Sequence, residues 1–240
     1  MKAPHRRTLA TLLGLAALAH ADETASVESV EIDGGAYRFT VDTTGAPDLT
    51  AWAHGELIPV VQKWYPLIVA MLPGEVYEPP KTFSIVFDEK YKGVAATGGN
   101  RIMCNPAWYR TQLKGEAIGS VVHELVHVVQ QYRRTRPPGW LVEGIPDYIR
   151  WYLYEPQSKG CEISPKHAAT AKHDASYRIS ANFLNFVIGK YDKDLIREFN
   201  AALRDGRYDA ELWKTRTGHT VEELADEWRV SMEAGTPVAK

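Results

Sequence analysis

Residues 117–130, Ala-Ile-Gly-Ser-Val-Val-His-Glu-Leu-Val-His-Val-Val-Gln, constrain this chain more than any other segment. The run reads as a helix that is apolar all round and therefore buried, yet it carries His123, Glu124 and His127. Polar and ionisable groups inside such a helix are costly unless they are paired or bind a metal. Residues four apart stack on one helical face, so both imidazoles can reach one ion, and Glu124 leaves the axis about 100° from His123. An HExxH pentapeptide of this kind holds zinc through its two histidines and offers the glutamate as a base for a water beside the metal. The pattern turns up by chance in about one chain per hundred of this length, so its surroundings must decide.

A catalytic zinc takes a third protein ligand and leaves one position open. Glu143 follows His127 by sixteen residues, in Trp140-Leu-Val-Glu-Gly-Ile-Pro-Asp-Tyr-Ile-Arg150. Between them Pro137-Pro138-Gly139 ends the first helix and lets the chain reverse, so that a second helix packs against it. Asp147 lies four residues beyond Glu143 on the same face, where it would accept a hydrogen bond from a ligand histidine. Taken alone, Glu143 and Asp147 would read as an acidic face in solvent; after an HExxH at this distance they read as part of a metal site.

These motifs resemble the gluzincin metallopeptidases and, more narrowly, the plant basic secretory protein family with its bacterial relatives. The resemblance is carried by Pro47-Asp48-Leu49, Trp64-Tyr65-Pro66, the HELVH segment, Glu143-Gly-Ile-Pro-Asp-Tyr-Ile-Arg150, Phe183-Leu184 and Thr217-Gly-His-Thr-Val-Glu-Glu-Leu224. It implies an α+β, zincin-like fold: a small twisted mixed sheet with the active-site helix, followed by a helical C-terminal half. It also implies one zinc ion per chain on His123, His127 and Glu143, Glu124 as general base, and a peptide or protein substrate. In that layout the last strand before the active helix is the sheet edge, which assigns substrate binding to Gly99, Asn100, Arg101, Ile102 and Met103. Tyr177 is the expected second electrophile for the oxyanion, beside an equally open reading as a packing aromatic; Tyr148, His167 and His173 are further candidates. Where the family usually has Gly-Ile-Ala-Asp-Tyr this chain has Pro146, which bears on the geometry of Asp147.

The N-terminus reads as an export signal. Lys2, Arg6 and Arg7 precede an apolar run from Leu9 to Leu18, and Ala19-His20-Ala21 forms a small-x-small cleavage site. Residues 1–21 are expected to be removed, leaving a single domain over 22–240, secreted or periplasmic and monomeric. The apolar run is too short for a bilayer span. Of 28 Lys and Arg, the three in the leader leave 25 against 30 Asp and Glu, a net charge of -5 with no dense basic run, so neither nucleic acid nor a membrane is an expected partner. In an exported protein Cys104 and Cys161 are expected to form one disulfide, with two unlinked thiols as the alternative.

Periodicity predicts strands over 27–32 and 37–41 around Gly34-Gly35, a third over 82–87, and two short ones over 94–97 and 101–104. Helices are expected over 49–71, irregular at Pro59 and Pro66, then a short piece from Pro106, and over 114–132, 141–154, 179–190, 193–203 and 220–232. The last would start with a Thr220–Glu223 capping box. Two other functional classes stay open on the sequence: an inactive, zinc-containing binding or defence protein, and a peptidase selective for glycosylated or cell-wall peptides.

Overall fold

A computed structural model describes residues 26–132, 137–175 and 177–233. The leader expected at 1–21, and residues 235–240, lie outside the described residues. The fold is α+β. Its sheet has five strands: β1 (Val27–Ile32), β2 (Tyr37–Asp42), β3 (Thr82–Phe87), β4 (Ala95–Gly98) and β5 (Arg101–Cys104), in the order β1-β2-β3-β5-β4. β1 and β2 form the expected antiparallel hairpin, β2–β3 and β3–β5 pair in parallel, and β4 returns antiparallel to β5. Alternation sets the buried side: Phe39 and Val41 on β2 and Phe83, Ile85 and Phe87 on β3 are all buried, with Phe39 and Phe83 stacked at 5.3 Å.

The segment after β2 is helical from Pro47 to Met71 but changes pitch along its length. A 3-10 turn (Pro47–Leu49) leads into α1 (Thr50–Trp52), a π turn (Ala53–Leu57) and α2 (Ile58–Met71). The π turn falls immediately before Pro59, whose ring and missing N–H disturb the turn behind it. After α3 (Pro106–Gln112) comes α4 (Ala117–Gln130), shorter at both ends than its apolar pattern suggests. Twelve of its fourteen residues are buried, so this helix is the centre of the molecule rather than a wall of it. Six of them are Val or Leu, each contributing about 1.5–3 kcal/mol by leaving water.

α5 (Gly139–Tyr148) packs on α4 and continues as a π turn to Tyr154. The rest is helical: α6 (Pro165–Ala168), α7 (Tyr177–Lys190), α8 (Leu195–Asp205), α9 (Glu211–Thr217) and α10 (Val221–Glu233). α6 and α9 fall in stretches with no periodic signal in the sequence. The capping box forms as expected, with Thr220 N donating to Glu223 at 2.8 Å and Glu223 N to Thr220 Oγ1 at 3.2 Å. α5 and α7 lie in close contact because Gly144 leaves room: a Cβ there would be 2.9 Å from Ser180 Cβ. Among the described residues no helix is long and apolar enough to cross a membrane.

The disulfide expectation is corrected. Cys104 and Cys161 are both free and buried. Cys104 ends β5 inside the main core, and Cys161 packs in a separate small cluster with Trp151 and Ala181. Burial pushes the Cys104 thiol up to about 12 and raises that of Cys161 as well, so neither is a thiolate poised to react.

One buried cation ties the helical half to α4. The Arg204 guanidinium, on α8, donates to the carbonyls of Val129 (3.0 Å) and Gln130 (3.2 Å) at the end of α4, and to Leu72 (3.1 Å) and Pro73 (2.8 Å) beyond α2. It lies 3.6 Å over the Tyr77 ring. A cation suits a helix C-terminus, where unpaired carbonyls gather. Arg204→Met removes the donors and leaves those carbonyls buried, so a loss of about 3 kcal/mol is expected in urea unfolding at unchanged slope. A loss below about 1 kcal/mol would show that the clamp contributes no more than an ordinary surface residue.

Candidate metal centre and active-site cleft

α4 and α5 together bring three ligand atoms to one point. His123 Nε2 and His127 Nε2 lie 3.1 Å apart, and Glu143 Oε2 is 3.3 Å from the first and 3.2 Å from the second. Zinc bonds of about 2.0–2.1 Å in a tetrahedron require ligand separations of about 3.3–3.4 Å. The observed triangle is one face of such a tetrahedron.

The protons on the two rings decide what this triangle wants. Asp147 Oδ1 lies 2.7 Å from His123 Nδ1, and a carboxylate only accepts, so Nδ1 carries the hydrogen. Gln130 Nε2 donates to the Val142 carbonyl at 3.1 Å, which turns its Oε1 towards His127 Nδ1 at 2.8 Å. A neutral ring at either position therefore aims its Nε2 lone pair at the Glu143 carboxylate. Three acceptors facing one another need a cation between them. A proton on His123 is the simplest such cation. Burial disfavours a charged His123, but Asp147 and Glu143 outweigh it and raise its pKa to about 9. Burial likewise pushes Glu143 up, and the two imidazoles outweigh that to bring it to about 2. The donor set fits zinc.

Pro146 clarifies how His127 is held. Lacking an N–H, it leaves the Val142 carbonyl four residues earlier without its helical donor, and Gln130 fills that vacancy. Asp147 is undisturbed by the proline and sits buried on its histidine.

Glu124 is buried beside the triangle. Thr97, on β4, donates its hydroxyl to Glu124 Oε2 at 2.7 Å, with the Glu124 carbonyl 3.0 Å away. Tyr177 begins α7, and its ring centre lies 6.0 Å from that of His123. Half exposed, it opens onto a cleft of about 900 Å³ lined by β4, His123, Glu124, His127, Gln131, Pro137 and Glu143. The Glu143 charge, then burial and the charges of Glu124 and Asp147, raise the Tyr177 pKa, so the phenol keeps its proton for donation. The other candidates lie elsewhere: Tyr148 stacks on Tyr152, His173 packs on Trp140 and Phe183, and His167 meets Ser164.

The substrate strand needs correction. Arg101, Ile102 and Met103 belong to β5, which is paired with β3 on one side and β4 on the other. Their main chain has no free edge to offer. Asn100 binds Gln131 and the Thr82 carbonyl through its side chain, and only Gly99 lines the cleft. The hairpin returns the earlier strand to the outside, so the edge is β4. Thr97 and Gln130 escaped the sequence reading; Gln130 stands one turn from His127, and that i+3 spacing was the available signal.

The BSP family, described as a peptidase of plants and bacteria, matches residues 67–228, more than half of the chain. The chain belongs to that family. No curated protein matches the sequence. Among solved structures, a two-domain M1 zinc metallopeptidase, a point mutant bound to L-tryptophan, superposes with a TM-score of 0.53 at 14% identity. It is covered over 54% of its length by 90% of this chain. A mutant M1 zinc metallopeptidase from Deinococcus radiodurans bound to a Tyr-Ser-Ala substrate gives the same figures. An M1 zinc metallopeptidase structure from Deinococcus radiodurans gives 0.51 at 14%, over 89% of this chain and 54% of that one. The likeness is one of fold, zincin-like, and the chain spans about half the length of these enzymes. For this BSP-family member, Asp147→Ala should weaken zinc binding about 10–100-fold in competition with a chelator while the fold persists. Unchanged affinity would mean that His123 needs no orienting partner.

Proposed function

We propose that this protein is a zinc-dependent peptidase that hydrolyses peptide bonds with Glu124 as general base. The observation that carries the reading is the triangle of His123, His127 and Glu143, whose lone pairs converge because Asp147 and Gln130 hold both Nδ1 hydrogens. Zinc on these three residues would supply Lewis acidity, polarising the scissile carbonyl and making water a nucleophile at neutral pH. Glu124, fixed by the Thr97 hydroxyl, takes the proton of the attacking water and hands it to the departing amine. Tyr177 donates to the oxygen on which charge develops. Thr97 places its own main chain on the outer side of β4, where an extended peptide adds as a further strand. Gln131 and Pro137 continue the cleft at the far end of α4.

An intact, buried and hydrogen-bonded Glu124 favours this reading over an inactive zinc-containing binding protein, which has no use for a base. The leader at 1–21 supports export to the outside of the cell or the periplasm.

Zinc content and hydrolysis of a protein-fragment library should be measured on wild type, Glu124→Gln and Tyr177→Phe. About one zinc per chain is expected in all three, with cleavage reduced at least 100-fold in Glu124→Gln and about 100-fold in Tyr177→Phe. Wild type without zinc would sink the ligand assignment. Equal activity in Glu124→Gln would remove it as base, and an unchanged rate in Tyr177→Phe would return that residue to packing.

A further inference from the structure

The outer side of β4 is only partly open. At the two ends of β5 the carbonyls of Asn100, just before the strand, and Cys104 turn towards β3, accepting from Ser84 N at 2.9 Å and Asp88 N at 3.0 Å. Arg101, Met103 and Asn105 alternate with these and turn the other way, and Asn105 N donates to the Val94 carbonyl at 3.0 Å. Alternation then directs the main chain of Val94, Ala96 and Gly98 inward and leaves that of Ala95 and Thr97 facing out of the sheet. These are the groups an added strand would use.

One of them is taken. The Tyr91 hydroxyl donates to the Ala95 carbonyl at 3.1 Å, where a neighbouring strand would place an N–H. The chain makes room for this: a Cβ on Gly93 would be 2.3 Å from the Tyr91 hydroxyl and 2.7 Å from the ring carbon that bears it. Without a side chain at 93, the ring folds back along the strand. Asp88 fixes the turn from which the ring springs, its carbonyl accepting from Tyr91 N at 3.0 Å.

We propose that Tyr91 is a specificity-determining stop on the substrate edge. An extended peptide pairs with the main chain of Thr97 and runs on towards Gly99, Gln131 and Pro137, where the cleft continues, but its strand pairing ends before the Ala95 carbonyl. The favoured substrate is a short extended peptide, or a peptide end, on the Tyr91 side of the scissile bond. The proposal rests on the peptidase reading only for the statement that the paired peptide is also cut. A tyrosine that merely blunts an exposed edge would leave the dependence on peptide length untouched.

Synthetic peptides from tripeptide to octapeptide, lengthened at one end or the other, test this by calorimetric binding to Glu124→Gln protein with Tyr91 intact or changed to Ala. With Tyr91 present, affinity should stop rising as peptides grow in one of the two directions. Tyr91→Ala removes both the hydroxyl and the ring from the Ala95 carbonyl, so the longer peptides of that series should gain about fivefold, the worth of one hydrogen bond, while the tripeptide is unchanged. A plateau that survives Tyr91→Ala, or an equal shift at every length, would overturn the proposal, as would a failure of all the peptides to bind. Turnover of the same peptides by wild type separates the two claims: length-dependent binding relieved by Tyr91→Ala without cleavage would keep the stop and refute the peptidase.

Discussion

Two imidazoles and a carboxylate point their lone pairs at one another across 3.1–3.3 Å, and the architecture around them exists to hold that arrangement. Left to themselves, the rings would rotate, or pick up protons, to escape the repulsion. They are prevented from rotating by partners on the far nitrogens, Asp147 from α5 and Gln130 from α4 itself. Those partners are in turn fixed by burial and by the Val142 carbonyl. A cation between the three, a proton or a metal ion, relieves the repulsion, so part of any affinity for metal would come from orientation settled during folding.

The wider structure serves the same end. α4 is anchored along its length by valines and a leucine in the core and at its C-terminus by Arg204, while Gly144 lets α7 come close enough to α5 to bring Tyr177 over His123. On the opposite wall Thr97 joins the sheet edge to Glu124. In the proposed mechanism a single residue of β4 would face the substrate with its main chain and the base with its side chain. Substrate docking and proton transfer would then share one rigid support, which favours an accurate reacting geometry.

Much of this was legible in the sequence, and for physical reasons. The apolar run around His123 and His127, the Pro-Pro-Gly reversal and the spacing to Glu143 and Asp147 are local patterns, and local patterns fix which residues share a helical face. The strands were legible through alternation, and the Thr220–Glu223 box through side chains that bond only their neighbours. What stayed hidden depends on which elements end up adjacent. The order of β4 and β5 in the sheet is set by a hairpin whose two arms look alike, so the sheet edge was assigned to the wrong arm. The cysteines suggested a bridge by number and compartment, but the fold places them in separate parts of the core. Tyr91 and Arg204 act on backbone carbonyls, which leave no trace in side-chain pattern.

The central claim is that these three side chains, and no sulfur, hold a zinc ion. X-ray absorption at the zinc edge on zinc-loaded protein tests it most directly. The expected shell is four-coordinate, with two imidazole nitrogens and one carboxylate oxygen at about 2.0–2.2 Å and one further oxygen. A zinc–sulfur distance near ~2.3 Å, or a shell without imidazole scattering, would contradict the account.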